Sequence, residues 1–191
     1  MARPSIDFGQ TAGDYARHRP GFPPQFYERV RGYGVGIAGQ EVLDVGCGTG
    51  TLARGFAQRG CRSTGLDPSP EMLLQAQALA REEALAVGYV RSWAEQTPFS
   101  EASFDVMCAG QCWHWFDRAR AATEAHRLLR AGGRLVIAYF TYLSDPGTIG
   151  HASEELLLRY NPGWPAAGSD GRFPMFADEL SPAGFGSIDS F

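Results

Sequence analysis

The sequence predicts an α/β domain, a doubly wound and mostly parallel sheet flanked by helices. Three observations predict it. Short apolar runs alternate with longer amphipathic stretches, the pattern of repeated strand–helix–strand units. The run Glu41-Val42-Leu43-Asp44-Val45 leads into a turn with glycine at every second place, then into a helical pattern. The chain's 191 residues, 44% hydrophobic and 20% charged, suit one globular domain with a sizeable core.

The elements follow in order. Residues 1–22 are polar and aromatic, and Gly9, Gly13, Pro20 and Gly21 break them up. Two prolines open a helix over 23–30, with Phe26, Tyr27 and Val30 at helical spacing. Gly32, Gly34, Gly36 and Gly39 mark a loop before the first strand, 41–45. A helix over 51–58 carries Leu52, Phe56 and Ala57 and stops at Gly60. The second strand, 61–66, ends at Asp67. Ser69 caps the next helix and Pro70 takes its first position, and that helix runs to about Ala84. Strands follow over 87–91 and 104–109, then a helix over 117–129 that Gly132-Gly133 ends. A fifth strand covers 134–140 and a helix covers 151–160. A loop rich in Pro, Gly and Trp spans 161–174, a short helix or turn 176–180, and a sixth strand 184–191. In such sheets ligands bind beyond the carboxyl ends of the strands, near the point where the strand order reverses.

Charge and composition narrow the function. Net charge is −4 and the pI about 5.6, which disfavours a phosphate backbone as partner. No apolar run reaches the length of a membrane span, and no apolar signal core follows Met1, so a cytoplasmic protein is expected. Cys47, Cys61, Cys108 and Cys112 form no Cys-x-x-Cys pair and read as free thiols. Cys108, Cys112 and His114 lack a fourth ligand, so no metal site is expected.

The chemistry-bearing residues gather at the predicted strand ends. Gly46, Gly48 and Gly50 let the backbone approach a ligand closely, and a helix start favours an anionic group. Their Gly-x-Gly-x-Gly spacing departs from the dinucleotide pattern, because Thr51 stands where the third glycine belongs. That disfavours a nicotinamide dehydrogenase. Asp67 lies 17 residues after Gly50, where a carboxylate can accept both hydrogen bonds of a ribose diol.

The run Leu43-Asp44-Val45-Gly46-Cys47-Gly48-Thr49-Gly50 resembles motif I of the class I S-adenosylmethionine-dependent methyltransferases, and the resemblance covers about residues 8–191. It implies a Rossmann-like fold and S-adenosylmethionine as cofactor. The turn would wrap the methionine and ribose portion, with Asp44, Gly46, Cys47 and Gly48 in contact. Asp67, with Pro68 beside it, would hold the ribose. Ser92-Trp93-Ala94-Glu95-Gln96-Thr97-Pro98-Phe99 is similar to the family's adenine-bracketing segment, which makes Trp93, Ala94 and Glu95 cofactor candidates. Trp93 replaces the aspartate that usually reaches the adenine amino group. Ala109 to Asp117 resembles the stretch lining both cofactor and acceptor; Gln111 is its first contact candidate, and Trp113, Trp115 and Phe116 would wall the acceptor or pack beneath it. His114 is the candidate general base, with a structural histidine as the competing reading. Tyr15 to Pro23 resembles the N-terminal lid of a small-molecule subgroup that includes trans-aconitate-type enzymes, so Tyr15 and Arg19 would cover the methionine end.

The domain plan that follows is an N-terminal lid and helix over 1–35, a cofactor-binding core over 40–140, and a substrate-side loop and last strand over 141–191. The family sheet ends with an antiparallel seventh strand, which this chain is expected to lack. Its unpaired edge is expected to support a homo-oligomer. The expected activity is methyl transfer to a small-molecule acceptor, without nucleic acid or membrane. The alternative is a truncated methyltransferase-like protein that binds the cofactor without catalysis.

Overall fold

β1 (Glu41–Val45) is the middle of the sheet, and its last four residues are all buried, as a strand covered on both faces requires. The computed structural model describes residues 12–18, 21–163, 170–172 and 176–191, without the side chains of Tyr15 and Ala16. β1 pairs in parallel with β2 (Arg62–Asp67) on one side and β4 (Phe104–Gly110) on the other. β3 (Val87–Arg91) extends the sheet beyond β2, and β5 (Leu129–Ala138) extends it beyond β4. The order is β3-β2-β1-β4-β5. The chain reverses direction across the sheet between β1 and β4, which is where a doubly wound sheet opens a crevice.

The helices pack on both faces. α1 (Ala12–His18) contacts the later helix α4, and α2 (Pro24–Arg31) begins with the expected proline. α3 (Thr51–Ala57) follows the glycine turn. α4 (Pro70–Glu82) is capped by the Ser69 hydroxyl, which accepts from the Met72 amide at 3.2 Å. α5 (Arg118–Leu128), α6 (Ile149–Tyr160) and α7 (Ala177–Leu180) complete the described helices. One apolar cluster joins Leu43, Met107 and Trp113 to α5 and α7. The other joins Val42 and Val106 to Val30, Leu52 and Phe56 of α2 and α3.

Three expectations need correction. The segment before Pro20 forms a helix, α1, although Gly13 reads as a breaker; burial of Ala12 and packing on α4 outweigh the glycine. β5 begins at Leu129 rather than Arg134, and α5 stops one residue earlier than expected. Gly132 (φ +79°) and Gly133 lie within the strand, where the register with β4 shifts. The expected sixth strand over 184–191 does not form. Gly184 (φ +103°) closes a turn, and the segment is held by side chains instead of a ladder. Phe185 packs edge-on against His126, and Phe191 stacks on Tyr33 with centroids 5.3 Å apart. The sheet edges are therefore β3 and β5.

Candidate functional site

The glycine turn after β1 and the chain after β4 meet at the reversal point. Gly46, Cys47, Gly48, Thr51, Gly110 and Gln111 share a cavity of ≈ 370 Å³. Phe22 closes it from the N-terminal side, and Phe140, Thr141 and Tyr142 close it from beyond β5. Gly46, Gly48 and Gly50 all have positive φ, +63°, +53° and +77°, so side chains there would be strained. At Gly46 space forbids one as well: a Cβ would lie 2.9 Å from Cys112 Sγ.

Two carboxylates hold this turn from different directions. Asp67, at the end of β2, accepts from the Gly48 amide through one oxygen and from the Ser69 amide through the other, both at 2.9 Å. Its pKa is raised by burial, and the two amide bonds act against that rise. Asp44 faces inward, is 2% exposed, and accepts from the Ala53 amide of α3 at 3.0 Å. Burial raises its pKa to about 7, with bonds from Ala53 and the Cys108 thiol opposing and the charge of Asp67 reinforcing. Asp44 thus fixes α3 against β1, while Asp67 fixes the turn against β2.

Beneath the turn lies a sulfur layer. The Cys112 thiol donates to the Val45 carbonyl at 3.1 Å, and Cys47 is buried on the turn itself. Burial pushes the Cys47, Cys108 and Cys112 thiols up, so they remain protonated. Among the described residues no His, Cys, Asp and Glu cluster could hold a metal ion.

The segment after β3 forms a small turn, with Trp93 and Gln96 bridged. Trp93 is 67% exposed, so it is not a core residue; Ala94 beside it is buried. The Asp117 amide donates to Glu95 at 2.7 Å, which ties this turn to the start of α5. Pro68 continues from Asp67, and its carbonyl accepts from Arg91 at 3.1 Å.

Gln111 adopts a left-handed conformation, φ +65°, a strained state for a non-glycine residue. Its amide donates to the Ala138 carbonyl at 2.8 Å and its side chain to the Phe140 carbonyl at 2.5 Å, joining the chain after β4 to the chain after β5. Trp113 is fully buried in the core, and Phe116 lies under Gly46, so both pack beneath the site. Trp115 is exposed. His114 sits on a short 3-10 turn, with Nδ1 3.2 Å from the Tyr139 hydroxyl, and does not line the cavity. Burial lowers its pKa.

Arg19 and the Tyr15 side chain, both expected over the methionine end, lie outside the described residues, as does Trp164 of the 161–174 loop. Arg172 of that loop pairs with Asp145 at 3.0 Å. Phe22, Phe140 and Tyr142 were not singled out from the sequence. Phe140 and Tyr142 carried one usable signal, since aromatic residues just past the end of a parallel strand stand at the ligand-binding side of the sheet.

Residues 43–137 match the model of a methyltransferase domain. An uncharacterized methyltransferase of Mycobacterium bovis is 37% identical over 137 residues, covering 72% of this chain and 53% of that protein. The malonyl-[acyl-carrier protein] O-methyltransferase of Erwinia billingiae is 36% identical over 132 residues, covering 69% and 51%. The chain spans about half the length of these curated relatives. A crystal structure from Methanococcus maripaludis, assigned to the S-adenosylmethionine-dependent methyltransferases, superposes with a TM-score of 0.70 at 20% identity. It covers 98% of this chain and 90% of that one, a likeness of fold.

Proposed function

Residues 43–137 belong to the class I S-adenosylmethionine-dependent methyltransferase family, and on that premise we propose that the protein transfers a methyl group from S-adenosylmethionine to a small-molecule acceptor. The carrying observation is the glycine turn held by Asp67 at the wall of the ≈ 370 Å³ cavity. The turn's open backbone and an adjacent carboxylate fit a cofactor with a ribose diol and a charged amino-acid end. When bound, the cofactor supplies an electrophilic methyl group on a sulfonium.

In this reading Gly46, Cys47 and Gly48 border the methionine and ribose portion, Asp67 and Pro68 the ribose, and Trp93, Ala94 and Glu95 the adenine. Asp44 acts behind the turn by holding α3 rather than by direct contact, since its bond to the Ala53 amide points it inward. Gln111 holds the Phe140–Tyr142 segment over the cavity. Phe22, Phe140 and Tyr142 exclude water from the reacting centre and orient the acceptor. Tyr15 and Arg19 enter only by the family resemblance. Erwinia billingiae's relative is named for methylation at oxygen, which supports an oxygen acceptor here.

His114, 3.2 Å from the Tyr139 hydroxyl and outside the cavity lining, would serve as base only for an acceptor that reaches beyond that lining, and an acceptor already ionised needs none. The lowered pKa of His114 keeps the imidazole neutral, the form that accepts a proton. Full turnover by His114→Ala at saturating acceptor would remove that role. The partner reading is a second copy paired along an open sheet edge, and β5, an edge strand among the described residues, is the edge this reading uses.

Calorimetric titration with S-adenosylmethionine, followed by a labelled-methyl screen of small acids, phenols and amines, tests the function. Saturable binding with transfer to at least one acceptor is the expected result. Binding without any transfer favours the non-catalytic alternative, and no binding at all overturns both.

A further inference from the structure

A second cleft opens between α2 and α3, behind the glycine turn. It has a volume of ≈ 270 Å³, and Arg54, Arg59, Gln58 and Tyr27 line it. Its chemistry differs from that of the first cavity, whose described lining holds no charged side chain.

Arg59 is held in place without a carboxylate. Its guanidinium carbon sits 3.7 Å from the Tyr27 ring centroid, and one nitrogen donates to the Gly55 carbonyl at 2.7 Å. Among the described residues no acidic group lies within ion-pair distance of it. Of the five donors on a guanidinium, this spends one. Arg54 is paired through one nitrogen with Glu83, yet its Nε is buried with no hydrogen-bond partner. Glu83 also accepts from the neutral Gln58 amide at 3.0 Å, so one carboxylate stands against the two positive charges of Arg54 and Arg59 in the lining, and it pairs with Arg54 alone. The result is a local positive excess, with unspent donors, in a chain of net charge −4. Planar, delocalised donors of this kind match carboxylate and phosphate oxygens.

The cleft also touches the first cavity. Phe22 and Thr51 line both, so the two volumes share a wall. An acceptor that passes Phe22 can place its nucleophile beside the glycine turn and its anionic end between α2 and α3.

We propose that the α2–α3 cleft binds a carboxylate or phosphate group carried by the methyl acceptor, with Arg59 and Arg54 as its holders. The cleft is argued from its own donors; its assignment to the acceptor rests on the methyl-transfer reading above.

Inorganic phosphate and succinate are the probes. Titration followed by the arginine Nε–Hε resonances is expected to shift Arg54 and Arg59 saturably in the wild-type protein. Arg59→Gln is expected to weaken binding about tenfold or more, equivalent to about 1.4 kcal/mol. Should that variant fail to fold, Gln58→Glu, an exposed lining position, sets a negative charge in the cleft and is expected to abolish binding. Unchanged affinity in either folded variant, or no saturable binding in the wild type, overturns the site. Saturating S-adenosylhomocysteine is expected to leave phosphate binding intact. Displacement by it puts the anion in the glycine turn instead and overturns the proposal. If S-adenosylhomocysteine itself does not bind, the methyl-transfer reading and the assignment to the acceptor fall, while the phosphate titrations still judge the cleft. In turnover with an acceptor from the screen, phosphate is expected to raise KM and leave kcat unchanged; a fall in kcat alone overturns the assignment to the acceptor.

Discussion

Asp44 and Asp67 stand at the ends of neighbouring strands, and burial gives them different work. Asp67, buried at 9% exposed, accepts one backbone amide through each oxygen, and each oxygen keeps a lone pair that can serve a ligand. Asp67→Asn keeps the size and removes the charge. Hydrogen bonds to a charged group contribute roughly 1.5–3 kcal/mol, so cofactor affinity is expected to fall about 10- to 100-fold. Calorimetry on the folded variant checks this, and an unchanged Kd removes Asp67 from the ribose role. Asp44 makes a different prediction. Its folded pKa, about 7, lies above the ordinary carboxylate value, so the folded state holds more protons between the two. Stability from this group is therefore present at low pH and lost as pH rises from about 4 to about 7. Asp44→Asn is expected to flatten that part of the stability profile, read as Tm between acid and neutral pH. A profile parallel to wild type counts against the assignment. The inward direction of Asp44 was not legible in the sequence: the position within β1 set its burial, but only the pairing of β1 with β4 set Cys108 beside it.

At the scale of elements, the loop from β1 to α3 was the most legible piece. A continuous apolar strand, alternate glycines and a helical pattern leave few other local geometries. What the sequence concealed is how tightly the next layer seats beneath it. Cys112 comes from the far side of the β4 loop and fills the space under Gly46. Gly46→Ala is expected to cost about 1–3 kcal/mol, from positive φ and from the Cys112 contact together. Urea unfolding measures it, and a variant as stable as wild type would show that the turn relaxes freely. The cap at Ser69 was equally readable, and its hydroxyl accepts an amide in the first turn of α4. Asp117, expected inside its helix, instead caps α5 by accepting from the Arg120 amide. Ser69→Ala is expected to lose roughly 0.5–2 kcal/mol by the same measurement. The fifth strand was read late and the sixth wrongly for one reason. Glycine signals a break, and whether it ends an element or sits inside one depends on the neighbour it pairs with. Gly132 and Gly133 have β4 as a partner and stay within a strand; Gly184 and Gly186 have none and do not.

On the scale of the whole molecule, β5 presents an edge that no strand among the described residues pairs, beside the 184–191 segment. A groove of ≈ 690 Å³ remains between them, lined by apolar side chains such as Leu135, Ile188 and Phe191. An edge strand with free backbone groups invites pairing with another strand. Sedimentation velocity across a concentration series is expected to show a dimer growing in; a monomer at every concentration ends that reading. Right-handed crossovers between parallel strands put the ligand side at the carboxyl ends of the strands from the order of elements alone, whereas the sheet order, and with it the reversal point between β1 and β4, comes from the strand pairings. The sequence by itself determined the parallel sheet, the glycine turn and the acidic residue after β2, because each depends on short-range pattern and spacing. Only the tertiary structure decided that Asp44 points inward, that His114 pairs with Tyr139 away from the cavity, and that Phe22, Phe140 and Tyr142 meet over the turn. Those are contacts between residues far apart in the chain, and packing, not local preference, sets which side chains converge.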